Sequence, residues 1–146
     1  MTDIIASDET ARDVAKKMLE LDHATRDLGM KLEHIALGTA TLSMTVKPTM
    51  LNGHQTCHGG YIFTLADSAF AFACNTYNKV TVAAAADISF LLPVMQGETL
   101  TATAVEKHRA GRSGVYDVTV TNEKNQTIAL FRGKSRTISD KGPLDV

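Results

Sequence analysis

Asp67 is the only charged side chain from Gly60 through Asn75, in a run (GYIFTLADSAFAFACN) that is otherwise small, apolar or neutral. Its neighbours at helical offsets of three and four are Phe63, Thr64, Phe70 and Ala71, so no local cation accompanies it. A carboxylate in such surroundings costs several kcal/mol unless it is paired, hydrogen-bonded or protonated. Two explanations answer that cost. Either a distant arginine, a backbone amide, or Ser68 and Thr64 satisfy the group structurally, or it is kept as a catalytic acid, base or nucleophile.

Gly59 and Gly60 open the same run, and a helix starting there presents backbone N–H groups at the positive end of its dipole. Such an end favours an anion, including the oxyanion that develops on a carbonyl under attack. Alone, a Gly-Gly pair marks no more than a tight turn. Gly60 and Asp67 are seven residues apart, so they share a helix face but stand about 10 Å from each other. One acyl carbon does not touch both. A carboxylate acting within about 3 Å of a carbonyl held by those amides therefore comes from a second subunit, whose helix runs antiparallel alongside, giving two shared sites per dimer.

The loop before the glycines, Pro48–His58, adds Asn52, His54, Cys57 and His58. His58 either hydrogen-bonds a substrate carbonyl or caps the loop, and Asn52 either orients a water or forms a turn. The H-x-x-C-H cluster lacks a fourth ligand at a familiar spacing, so no metal is expected, and Cys57 reads as a small buried thiol rather than a nucleophile. Positive charge gathers late in the chain, at Lys107, His108, Arg109 and Arg112 and then at Arg132, Lys134 and Arg136. That pattern protects a sheet edge against aggregation, or anchors the phosphates of a substrate with a nucleotide tail.

These residues need a scaffold, and 146 residues, 44% hydrophobic and 21% charged, are enough for one domain spanning 1–146. An amphipathic helix is expected over 8–28, with Gly29 as its left-handed stop. Strict alternation predicts a strand over 38–46, and a nearly all-round apolar run predicts a buried helix after Gly59. Extended segments follow at Val80–Leu92, Glu98–His108, Gly114–Thr121 and Thr127–Ile138, separated by short turns suited to antiparallel neighbours. The class is α+β, with Ser139–Val146 a loose polar tail. Net charge is −1, so no overall basic field draws nucleic acid or anionic lipid, and no apolar stretch is long enough to cross a membrane. Two cysteines make no disulfide framework, and Met1–Ser7 carries no leader pattern, so the cytoplasm is the expected compartment.

The stretch Met50–Asn75 (MLNGHQTCHGGYIFTLADSAFAFACN) closely resembles the hotdog-fold acyl-CoA thioesterases of the PaaI type, associated with bacterial phenylacetate degradation. The resemblance continues through ISFLLP at Ile88–Pro93, GETLTATA at Gly97–Ala104, GVYDV at Gly114–Val118 and ALFRGKS at Ala129–Ser135. It implies an antiparallel sheet wrapped around a long central helix. Homodimers with a continuous sheet, paired into homotetramers, would bind thioesters at subunit boundaries.

Carried over by position, the resemblance implies that Asp67 is the catalytic carboxylate and Gly59 the backbone donor facing the thioester oxygen. His58 is then the preceding histidine, Asn52 the loop asparagine of the site, and Gly60 a neighbour in the same turn. Some relatives place a serine on the strand after the helix, where Ala83–Ala86 stand here. The implied reaction is hydrolysis of aryl-acyl-CoA, such as phenylacetyl-CoA or hydroxyphenylacetyl-CoA, to free acid and CoA. Asp67 would activate water or attack the thioester, with no cofactor beyond the CoA of the substrate. Arg109, Arg112, Arg132 and Lys134 are the candidates for the CoA phosphates, and Tyr61, Phe70, Phe72 and Met95 for shaping the acyl pocket. Two other functions fit the pattern: a hotdog-fold enoyl-thioester hydratase or dehydratase, and a non-catalytic acyl-CoA-binding module.

Overall fold

The computed structural model describes residues 5–145; residues 1–4, within the segment read for a leader, and Val146, at the end of the expected tail, lie outside them. The helix expected over 8–28 is two helices, α1 (Asp8–Leu21) and α2 (His23–Asp27). Ser7 caps α1 by accepting the Thr10 N–H at 3.1 Å. The break is at Asp22, whose N–H closes α1 on the Met18 carbonyl while its carboxylate accepts the Thr25 N–H at 3.0 Å and so starts α2. Gly29, at φ +73°, supplies the expected left-handed stop.

Six strands form one sheet: β1 (Lys31–Ala36), β2 (Thr39–Thr45), β3 (Val80–Phe90), β4 (Thr99–Ala110), β5 (Ser113–Thr121) and β6 (Thr127–Ser139). Their order across the sheet is β1-β2-β4-β5-β6-β3, with every pair antiparallel. β1 was not anticipated. Its register on β2 shifts between Leu32 and His34, which breaks the alternation that reveals a strand in sequence. β2 shows the expected pattern, burying Ala40, Leu42 and Met44.

The central helix α3 (Gly59–Asn75) touches all six strands and buries Ile62, Leu65, Ala66, Ala69, Phe70, Phe72 and Ala73. Phe70 meets the rings of Tyr116 and Phe131 at centroid distances of 5.6 and 5.9 Å, so the helix is held by edge-on and tilted aromatic contacts as well as by burial. This is the antiparallel sheet wrapped on one helix that the sequence led us to expect.

Two features depart from the simplest layered plan. On β3, Val82 through Asp87 are exposed in unbroken succession, so this edge strand lacks cover on either face. At the other end of the chain, the segment expected as a loose tail is tied down. The Leu144 N–H donates to Asn78 Oδ1 at 3.0 Å, Asn78 Nδ2 donates to Asp145 at 3.3 Å, and a 3₁₀ turn at Pro143–Asp145 lies against α1. Among the described residues no helix is long and apolar enough to cross a membrane.

Candidate active site

α3 begins at Gly59 because His58 caps it: His58 Nδ1 accepts the Gly60 N–H at 3.1 Å, and the Tyr61 N–H bonds back to the His58 carbonyl at 3.0 Å. Of the two glycine amides, Gly60's is therefore engaged, and only Gly59's is without an acceptor among the described residues. An acceptor at Nδ1 places the ring proton of a neutral imidazole on Nε2. Within this chain His58 Nδ1 serves as the cap, and Nε2 makes no hydrogen bond among the described residues.

Gly59 is not in the left-handed region, so its residue type answers a different demand. A Cβ built there would lie 2.9 Å from the Phe90 ring, closer than real Cβ contacts permit. The glycine leaves room for that ring against the start of the helix.

Asp67 lies on the face of α3 that the sheet leaves uncovered, with Gly60, Thr64, Ser68 and Ala71, all half-buried or exposed. No ion pair reaches it among the described residues. The Thr64 hydroxyl donates to the Gly60 carbonyl at 2.8 Å, and the Ser68 hydroxyl shares a 3.1 Å hydrogen bond with Thr25, whose own hydroxyl is 2.7 Å from Asp22. The structural explanations offered for Asp67, an arginine, an amide or its hydroxyl neighbours, are thus unfilled among the described residues of its own chain. Partial burial pushes its carboxyl above the usual carboxylate range.

Asn52 spends its side chain inside its loop: Oδ1 accepts from the His54 N–H at 2.9 Å and the Thr56 N–H at 3.3 Å, and Nδ2 donates to Thr56 Oγ1 at 3.1 Å. It forms the turn that presents His58. Cys57 is buried, and burial pushes its thiol up, away from the thiolate a nucleophile needs. Among the described residues no three His, Cys, Asp or Glu side chains converge in a way that could hold a metal ion.

The four candidate phosphate contacts fall in two places. Arg109 and Arg112 sit at the β4–β5 hairpin, near the C-terminal end of α3, where Arg109 stacks 3.6 Å over the Tyr77 ring and Arg112 pairs with Asp140 at 3.2 Å. Arg132 and Lys134 point from β6 to the outer face of the sheet. There Arg132 forms a bidentate pair with Asp117 at 2.6 and 2.9 Å, which holds the Asp117 carboxyl below its usual range. Lys134 makes no ion pair among the described residues.

The expected pocket residues divide as well. Phe70 and Phe72 belong to the core, while Tyr61 packs edge-on to His58 at 6.4 Å and Met95 is exposed. The residues sequence reading passed over are Phe90, Leu91 and Leu92. With Cys57, Gly59, Ile62, Pro93 and Val94 they line a cavity of about 510 Å³ beside the free Gly59 amide. Their signal was present in ISFLLP, an apolar run lacking the polar alternation of a half-covered strand.

This combination of one helix, one sheet and a helix-start amide next to an apolar cavity has known counterparts. The family described as the thioesterase superfamily matches residues 54–129. The acyl-coenzyme A thioesterase PaaI of Escherichia coli is 48% identical over 124 residues, covering 85% of this chain and 89% of its own. The solved structure of the E. coli PaaI protein superposes with a TM-score of 0.89 over 90% of this chain and 96% of its own. A point mutant of the phenylacetic acid degradation protein PaaI from Thermus thermophilus, 36% identical, gives 0.77 over 80% of this chain and 100% of its own. The smu.793 protein of Streptococcus mutans, solved with acetyl CoA bound, is 26% identical and gives 0.75 over 77% of this chain and 91% of its own. The chain belongs to the thioesterase superfamily, in its PaaI-type hotdog branch, and is a thioester hydrolase.

Proposed function

We propose that the protein hydrolyses acyl-CoA thioesters, aryl-acyl ones such as phenylacetyl-CoA and hydroxyphenylacetyl-CoA foremost, to free acid and CoA at sites shared by two subunits. The observation that carries this reading is Asp67, a half-buried carboxylate without a partner among the described residues of its own chain, on the uncovered face of the helix whose first amide is also without an acceptor among them. The relatives' names point the same way: one is an acyl-coenzyme A thioesterase, and another holds acetyl CoA.

In this reading two chains pair along β3, whose uncovered stretch Val82–Asp87 offers unfilled backbone groups and small alanine side chains. The two α3 helices then run antiparallel, and the partner subunit's Asp67 comes to the Gly59 end of this one. A substrate carbonyl accepts the Gly59 N–H, and the helix dipole supports the oxyanion as it forms. The partner's Asp67 takes a proton from a water attacking the carbonyl carbon, and the tetrahedral intermediate collapses with release of the CoA thiolate, which takes that proton up. His58 holds the turn through Gly60, and Asn52 holds the loop through Thr56. No bound cofactor or metal is needed, because a thioester is already activated. The antiparallel pairing also brings the partner's hairpin, with Arg109 and Arg112, to the same end as Gly59, which suits a CoA tail leaving the site. Further pairing into tetramers and a cytoplasmic location complete the reading.

Purified protein mixed with a panel of acyl-CoAs and a thiol-reactive dye tests it. Thiol release is expected, fastest with the phenylacetyl and hydroxyphenylacetyl thioesters. An absence of release across the panel, or conversion of enoyl-CoA without free thiol, would overturn it.

A further inference from the structure

We propose that the apolar cavity beside Gly59 receives the acyl group, and that Phe90 is the residue through which the site selects arylacetyl groups over straight chains. The proposal rests on the thioesterase reading and adds to it where the acyl part goes and what recognises it.

Position comes first. Gly59 is both the residue with the free amide and part of the cavity wall, so a thioester carbonyl bonded to that amide has its two substituents at the cavity mouth. One substituent is the acyl group. The other is the pantetheine arm of CoA, which carries two amides and needs hydrogen-bonding partners wherever it is desolvated.

Chemistry decides which of them enters. The side chains of Ile62, Phe90, Leu91, Leu92 and Pro93 line the cavity and offer no polar atom. Three backbone donors along the walls are used within the chain: the Leu91 and Leu92 N–H groups both reach the Ile128 carbonyl, at 2.8 and 3.4 Å, and the Cys57 N–H reaches the Val94 carbonyl at 2.8 Å. Pro93 has no donor. The amides of the arm would find no side-chain oxygen or nitrogen to bond here, whereas a hydrocarbon or aryl group needs none.

Phe90 supplies the selectivity. Its ring lies against the Gly59 backbone, at the distance that excludes a Cβ there, yet 51% of the residue remains exposed. An aromatic ring beside the residue that carries the oxyanion amide, with a side that its own chain leaves uncovered, is a platform for a second ring one methylene removed from the carbonyl. An aromatic pair is favoured beyond the area it buries.

The test is the ratio of kcat/KM for phenylacetyl-CoA to that for hexanoyl-CoA in wild type, Phe90→Leu and Phe90→Ala. Removing the platform should lower the ratio about tenfold in Phe90→Ala, with Phe90→Leu, which keeps apolar bulk without a π face, also reduced. A ratio unmoved in both variants overturns the assignment, as does an equal loss on both substrates, the pattern expected if the cavity held the arm common to all acyl-CoAs. Wild type that releases no thiol from any thioester removes the underlying reading and this inference together. Wild type that is active with an unmoved ratio removes the inference alone.

Discussion

The ionisation of Asp67 ties activity and stability together with opposite signs. Its carboxyl is raised above the ordinary value of 3.8 by desolvation, which means the folded chain holds the proton more firmly than the unfolded one. The ionised form is therefore a cost to folding, absent at pH values below the ordinary value and fully present once pH exceeds the raised one. Asp67→Asn removes that cost at neutral pH, so its melting temperature should lie at or above that of wild type, while kcat falls by about 10²–10⁴ through loss of the base. Calorimetry beside the thiol-release assay checks both halves, and an asparagine variant that melts lower while keeping its rate contradicts the role given to the carboxylate. The acid limb of the kcat/KM profile follows from the same shift. Activity needs the ionised form, so it should fall as pH drops through a value above 3.8 and should do so in wild type but not in the residual activity of Asp67→Asn.

At the scale of elements, the approach to α3 is set by short capping devices. Asp22 ends α1 and begins α2 in one residue, and through Thr25 its carboxylate reaches the Ser68 hydroxyl, adjacent to Asp67 on α3. Asp22→Ala removes an N-cap and should cost about 0.5–2 kcal/mol, read as a lower urea midpoint with an unchanged m-value. Such devices explain what could be read in advance. Asp67 was visible because a lone charge in an apolar helical run violates the run's own logic, and β2 was visible because its alternation is uninterrupted. Asp22 was not, since an aspartate within an amphipathic pattern looks like one more solvent-facing residue until its carboxylate is seen on the Thr25 amide. β1 was hidden by its bulge, and the docking of 142–145 by partners more than 60 residues away, at Asn78. The cations were easy to name and hard to assign. That Arg132 is held by Asp117 depends on the β5–β6 register, which pairs those two residues directly. Phe90 was missed for a similar reason, because its meaning comes from the Gly59 backbone across the fold.

The whole molecule is one face short of complete. Its sheet ends at β3 in six consecutive exposed residues, Val82–Asp87, and Phe90, Leu91 and Leu92 continue the bare apolar edge beyond them. A strand of that kind invites pairing with another copy, and the charged device that blunts such edges is confined here to Asp87. If pairing there places the partner's Asp67 by Gly59, the lesions of Asp67→Asn, which removes the base, and of Gly59→Ala, whose methyl meets the Phe90 ring and disturbs the oxyanion turn, are separable. In a heterodimer of Asp67→Asn with Gly59→Ala, one site receives both lesions and the other receives neither. Random re-pairing of the two inactive proteins should therefore restore about a quarter of wild-type activity per subunit, half the dimers being mixed and each mixed dimer keeping one of two sites. Mixing after mild denaturation and refolding, with each variant refolded alone as the control, makes the measurement. A site built within one chain would leave every subunit damaged and the mixture as inactive as its parts.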